Sequence, residues 1–402
     1  MPRVVITGIG VVSAIGANRQ EFWTSLIEGK SGIGEYEQPE YGQIRFKNAA
    51  AIKNYQPEVH FPDKSVAFMD RFAQFSVIAA REAVAQAGIE WSEDLRERTT
   101  IITGSCIGGR IAEEAGYWNL FHLNKNRVHP LTIPLGMANS GASQISMEFG
   151  VHGPTFTFST ACSSSSHALG HAYWMVRSGA APMAISGGAD APIYFGNLKA
   201  WEAMRVVSPD TCRPFSKDRQ GMILGEGAAM LVLEPLEAAL ARGATPIAEI
   251  VGFGMSSDAS HITQPLAEGA ARAIRGALRD ANLAPEQVGY INAHGTGTEA
   301  NDKMEVAAIR SVFGAHSEKL PISSTKSMHG HTLGAAGAIE ASATAFSLQH
   351  GILPPTANFT VADPECDMDV IPNRARKESV EFALSSSFAF GGLNAVLALR
   401  AL

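Results

Sequence analysis

TFTFSTACSSSSHALGHA, residues 155–172, begins as a strand-like alternation and ends as a helix, with a cysteine at the joint. Strand, tight turn of small residues, then helix is the building unit of an α/β protein. Outward from this stretch the same alternation holds. Val4–Ile9, Thr99–Thr103, Met183–Gly187, Ala229–Glu234, Ile247–Gly254, Gly289–Ala293, Glu381–Ser386 and Ala395–Leu399 read as strands. Met69–Ala87, Ser164–Arg177, Leu266–Ala281, Lys303–Phe313 and Ala335–Gln349 read as helices. A weak internal repeat runs through them in preserved order. VVITGIG from Val4 echoes AEIVGFG from Ala248, IITG from Ile101 echoes INAH from Ile291, and AISGG from Ala184 echoes ALSSS from Ala383. Cys162 and His331 each precede a helix of small residues. The pattern predicts two related α/β halves, 1–245 and 246–402.

Composition narrows the class. The 402 residues are 46% hydrophobic and only 18% charged, which excludes a disordered or fibrous chain. A net charge of −7 argues against nucleic acid as a partner. Cys106, Cys162, Cys212 and Cys366 lie far apart with no CxxC pair, so neither a disulfide framework nor a zinc site is expected. A reducing cytoplasm fits that usage. Residues 149–176 carry no charged side chain, yet lipid would solvate their Ser, Thr, His and Gly poorly, so no membrane span is expected. Gly8, Gly10, Ser13 and Gly16 interrupt the apolar N-terminus, which suits a buried strand and turn better than a signal peptide. Position 13 is serine, so GxGxxG fails and no dinucleotide site is expected.

Four segments hold candidate chemistry. A cysteine at a helix N-terminus, as Cys162 would be, meets unpaired N–H groups and the positive dipole end, which favour its thiolate and an oxyanion beside it. The other three cysteines read as small buried side chains. His294 sits in AHGTGTEANDKME, residues 293–305, just past a strand; Lys326 and His331 sit in SSTKSMHGHTLGAAGAIE, residues 323–340. Taken singly, each is as readily structural as functional; together with Cys162 they make a thiol, two imidazoles and an ammonium, all at element ends. His329 and His331 are too close in sequence for a helical metal pair, so no metal is expected. His261 in HITQP reads equally as a loop residue. SSSFAFGGLNA, residues 385–395, turns through two glycines, with Phe390 able to wall a pocket.

In these segments, and in RPFSKDRQGMILGEGAAMLVLE between them, the chain resembles the β-ketoacyl-acyl-carrier-protein synthases of the thiolase superfamily, in their elongating Cys-His-His class. The resemblance spans nearly the whole chain. It implies a five-layered αβαβα fold of two similar halves and an acyltransferase acting by decarboxylating Claisen condensation, in fatty-acid or related polyketide or polyene elongation. It implies Cys162 as nucleophile, an oxyanion hole from the backbone N–H groups of Cys162 and Phe390, and His294 and His331 at the malonyl carbonyl. Lys326 would be held by Glu305. Thr296 and Thr298 would bind the phosphopantetheine arm, and Ile107 would border the acyl pocket. Phe390 would be a gate, with Phe388 and Gly391 beside it and Asp258 and His261 in a second gating loop. Acyl carrier protein is the implied partner, its arm carrying the substrates with no further cofactor. The implied assembly is a homodimer whose partner contributes to each acyl pocket, or else a heterodimer with a chain-length-factor homologue.

Three departures from the housekeeping pattern stand out: Ala389 before the gate, HGTGTE in place of HGTSTP, and KSVAFMDRF from Lys64. The last keeps Lys64 and Arg71 but has Ala67 and Phe68 where basic carrier-docking residues are expected; Lys125, Arg127 and Arg205 would compensate. These details resemble specialised ketosynthases of nodulation-factor or polyene pathways. A non-catalytic chain-length factor is opposed by retention of Cys162, His294 and His331.

Overall fold

The computed structural model describes residues 1–37, 41–61 and 64–402. Ten strands form one sheet: β1 (Val4–Ser13), β2 (Thr100–Gly104), β3 (Thr155–Phe158), β4 (Ala184–Asp190), β5 (Gly227–Pro235), β6 (Ala248–Ser257), β7 (Val288–Asn292), β8 (Ile322–Ser323), β9 (Phe382–Ala389) and β10 (Leu393–Arg400). Their order across the sheet is β8-β7-β9-β10-β6-β1-β5-β4-β2-β3. That order is symmetric about the β6–β1 seam: each strand of one half has its counterpart five strands on in the other. The expected echoes therefore land on matching strands, β1 with β6, β2 with β7, and β4 with β9. At the seam only Val4–Ile6 pair with Ala248–Ile250, antiparallel, whereas β1 pairs β5 along its whole length.

Helices complete five layers. α1 (Arg71–Ala87) covers β1 and β5, and α4 (Ala267–Ala281) covers β6 and β10, with α5 (Glu299–Phe313) against α4. Between the two halves of the sheet lie α2 (Ser164–Arg177) and α6 (Ala336–His350), in contact with each other. α6 is buried on every side from Ala336 to Leu348, as its nearly uncharged sequence requires. On the outer face a Cβ at Gly8 would lie 2.0 Å from the Ala83 carbonyl oxygen, and one at Gly10 would lie 1.9 Å from that of Ala79. Those glycines let α1 lie directly on β1; they serve packing.

The expected helices hold to within a few residues, except that α5 begins four residues early, at Glu299. Among the described residues, the three unexpected α-helices of nine residues or more are polar or glycine-bearing: Arg19–Ile27, Ser140–Phe149 and α3 (Phe195–Met204). Their apolar residues are too few to set a 3.6-residue period. Among the described residues no helix is long and apolar enough to cross a membrane.

Candidate active site

Cys162 lies in a one-turn 3₁₀ segment, Ala161–Ser163, that runs straight into α2. The four serines after it each have work. Ser163 Oγ donates to the Leu393 carbonyl at 2.9 Å and Ser164 Oγ to that of Ala161. Ser165 Oγ accepts from the Ala338 N–H at 2.9 Å, and Ser166 Oγ meets Ser387 Oγ at 2.8 Å. Three of these four bonds reach the other half of the chain, so small hydroxyl side chains weld the cysteine turn to α6, β9 and β10.

His294 follows β7, and both it and Gly295 donate backbone N–H groups to the Glu305 carboxylate, each at 2.7 Å. His331 follows a short helix, Lys326–His329, and its Nδ1 accepts from the Leu333 N–H at 3.2 Å. That bond leaves the imidazole hydrogen on Nε2. The Cys162 sulfur and one ring nitrogen from each histidine all lie within 4.8 Å of one another, and the two imidazoles stand edge to face. All three groups line one cleft enclosing about 690 Å³, its open mouth included. Such a donor set also suits zinc, though the two imidazoles and the thiol have their own chemistry to offer. Burial first, then the Lys326 charge, holds both histidines well below the usual 6.5, so both are neutral imidazoles at physiological pH.

Two expectations need correction. Lys326 pairs with Glu340 of α6, both side chains fully buried; Glu305 is occupied instead with the His294–Gly295 backbone. Glu340 is the group that the sequence reading missed, and its signal was there: a lone carboxylate inside the apolar run of α6. The second correction concerns the thiol. The helix end was expected to lower its pKa, but burial pushes Cys162 up to about 11, outweighing the Lys326 charge and the N–H groups of Phe390 and Cys162 that reach the sulfur. Alkylation by iodoacetamide should therefore favour Cys162, the cysteine on the cleft, yet speed up steadily from pH 7 toward about 11. A rate plateau near neutrality, read by mass spectrometry of the modified peptide, would show the thiol already ionised there and overturn the burial-raised value.

The remaining candidates divide. Thr296 and Thr298 share a hydroxyl contact of 2.8 Å on the cleft wall, beside Phe388 and Phe390. His261 is exposed at the mouth, its Nδ1 accepting from the N–H groups of Thr263 and Gln264. Asp258 and Gly391 do not line the cleft; they tie its two loops together. Asp258 accepts from Leu266 N–H at 2.9 Å and Asn394 Nδ2 at 2.7 Å, and Gly391 N–H donates to the Ile262 carbonyl at 2.7 Å. A Cβ at Gly392, where φ is +70°, would lie 2.4 Å from Asp258. Ile107 does not line the cleft; it packs against the cluster of Leu198, Met222 and Leu224, of which Met222 reaches the wall. Arg71 is not a free docking cation: Glu226 holds its guanidinium at 2.7 Å, over the Tyr55 and Phe75 rings.

Comparison with known proteins completes the description. The family model for the β-ketoacyl synthase N-terminal domain matches residues 1–239, and that for the β-ketoacyl synthase C-terminal domain matches residues 247–360. Nodulation protein E of a Rhizobium species is 48% identical over 398 residues, 99% of each chain. The 3-oxoacyl-(acyl-carrier-protein) synthase 2 of Staphylococcus aureus is 40% identical over 405 residues, 99% of this chain and 98% of its own. The solved ishigamide ketosynthase/chain length factor is similar throughout, with a TM-score of 0.95 at 38% identity, covering 100% of this chain and 99% of that one.

Proposed function

The chain belongs to the β-ketoacyl synthase family, and on that premise we propose that Cys162 carries the growing acyl chain while His294 and His331 drive decarboxylation of its malonyl partner. The protein is an acyltransferase that elongates acyl thioesters by decarboxylating condensation. The observation that carries the assignment of roles is the meeting of the Cys162 sulfur with two neutral imidazoles at one cleft.

The first step transfers an acyl group. Sulfur attacks the thioester carbonyl of an acyl carrier protein, the carbonyl–pantetheine bond breaks, and the thiol proton ends on the departing pantetheine. Backbone N–H groups of Cys162 and Phe390, already at the sulfur, hold the oxyanion. The second step begins at a malonyl thioester. Its carbon–carboxylate bond breaks, carbon dioxide leaves, and the electron pair moves onto the thioester oxygen, where His331 Nε2–H and the His294 ring donate. Donors preset for charge that exists only in the transition state give the largest rate effects. The enolate carbon then attacks the acyl carbonyl on Cys162, forming the β-ketoacyl chain and releasing the thiolate, which regains its proton. Burial, and after it the Lys326 charge, keeps both imidazoles neutral. Thr296 and Thr298 take the arm of the carrier, Phe390 gates the cleft, and Glu305 fixes the His294 loop. In this reading residues 1–245 bring the nucleophile and residues 246–402 the histidines and Lys326.

The test is incubation with a saturated acyl carrier protein and malonyl carrier protein. Intact mass should show the acyl group on Cys162, with carbon dioxide and β-ketoacyl carrier as products. No loading and no product would overturn the reading.

A partner subunit belongs to this proposal. Phe121 and Ile133 are 79% and 73% exposed, and among the described residues β3 is an end strand of the sheet, bearing exposed Phe156. Apolar surface and an end strand together call for cover. We expect a homodimer of twice the chain's 42.6 kDa by light scattering. Likeness to a ketosynthase/chain length factor structure favours one rival assembly; a monomer that gains activity only with a co-expressed homologue would establish it.

A further inference from the structure

Trp201, on α3, lines the same cleft as Cys162. Its indole stacks on the Phe390 ring, centroids 6.0 Å apart and planes 23° from parallel. Among the described residues it is the one ring recorded against Phe390. The two ends of Phe390 are held very differently. Its backbone N–H reaches the Cys162 sulfur. Its side chain is 38% exposed and is followed by Gly391 and Gly392, both with positive φ, a backbone that tolerates rearrangement at little steric cost. A ring more than a third exposed beside such a hinge is held less firmly than a core side chain. The flat face of Trp201 is what selects one position, and that position stands in the wall of the cleft.

We infer that Trp201 is the seat of the Phe390 ring, and that seating keeps a malonyl thioester away from His294 and His331 until Cys162 has been acylated. This rests on the β-ketoacyl synthase reading above, which places both thioesters in this cleft. With the ring seated, the aperture is narrow. Acyl chain on Cys162 displaces the ring from Trp201 and widens it. Without the seat the aperture stands open in the free enzyme, and malonyl carrier protein meets the two imidazoles with no acyl acceptor present. Its carbon–carboxylate bond then breaks, carbon dioxide leaves, and the carbon keeps the electron pair and takes a proton from water. The products are acetyl thioester and carbon dioxide, with no condensation. Stacked aromatic pairs bias a two-state equilibrium by roughly 2- to 12-fold, so the uncoupled reaction should rise by a factor in that range. Trp201 is thus a positioning residue: it acts through Phe390.

The test measures carbon dioxide from malonyl carrier protein labelled at its free carboxyl, without and with a saturated acyl carrier protein, against β-ketoacyl product. In Trp201→Ala the carbon dioxide released without acyl donor should rise several-fold over the parent, while Trp201→Phe, which retains a flat ring, should stay near it. A loss of scaffold alone would lower release and product together, which would overturn the seat. So would an unchanged ratio of the two. A second readout needs no truncation: acylation of the parent should change tryptophan emission as Phe390 leaves Trp201, and Trp201→Phe should lose that change. An equal change in both proteins would overturn the proposal even if Trp201→Ala failed to fold. A parent that makes no β-ketoacyl product would instead strike at the enzyme assignment.

Discussion

His294→Ala should accumulate an acyl chain on Cys162 but release carbon dioxide from malonyl carrier protein about 10²–10³ times more slowly than the parent, the usual consequence of losing one preset donor to a developing oxyanion. His331→Ala should behave in the same way. The reasoning is spatial. In the proposed mechanism loading uses the sulfur and two backbone N–H groups, none of which either substitution removes. Decarboxylation in that mechanism uses ring N–H groups, and the Leu333 N–H at His331 Nδ1 leaves the His331 ring hydrogen on Nε2. His294 Nδ1 is buried without a hydrogen-bond partner among the described residues, so the loop holds the ring through its backbone and leaves the imidazole for substrate. Both imidazoles stay neutral far below pH 6.5, so condensation should show no histidine-driven loss on acidification from pH 8 to pH 6. Intact mass reports loading, and labelled carbon dioxide reports the second step. Parent-like release in both variants would remove the histidines from that step.

The second large effect is on stability. Lys326→Ala should destabilise the fold by about 3–5 kcal/mol, the range for breaking a buried pair and leaving its partner behind. The partner is Glu340, whose carboxyl burial already pushes up to about 7, with Lys326 the influence that opposes the rise. Removing Lys326 sends it higher. A carboxyl with a raised folded-state pKa favours folding most at low pH, and the benefit is lost as pH climbs from the usual 4.5 through the raised value. The variant should therefore lose more stability at pH 8 than at pH 5, by denaturant melts. Pairing Lys326→Met with Glu340→Gln should restore much of the stability without restoring condensation. The positive charge that favours the Cys162 thiolate would still be missing. Equal stability of Lys326→Ala and the parent at both pH values would mean that the pair is not closed to water.

Cys162, His294 and His331 were legible as a set because each sits at the end of an element whose hydrophobic pattern is plain, and because the motifs around them resemble one family. α2 runs from Ser164 to Arg177 as the sequence predicts. The partner of Lys326 was not legible in that way. Two buried glutamates compete, Glu305 and Glu340, and nothing in their spacing says that the His294–Gly295 backbone claims the first. The thiol was misjudged because a helix end is visible in sequence while the depth of burial is not, and depth dominates here. Trp201 gave no signal at all: its helix starts with Phe-Gly-Asn and shows no apolar period, and its meaning comes from a ring some 190 positions later.

The symmetric sheet bears on how such a site can arise. Cys162 lies in the turn that leads into α2, and His331 lies just ahead of the matching turn, Leu333–Ala335, that leads into α6. Two separate copies of a half-length chain, associating about the same axis, would necessarily face each other with identical residues: two thiols, or two imidazoles. A nucleophile opposite an unlike partner needs halves that differ in sequence, as these two do. The covalent link through residues 236–247 is therefore more than a tether, because it fixes the two unlike halves in a one-to-one ratio, so that every Cys162 meets a His331.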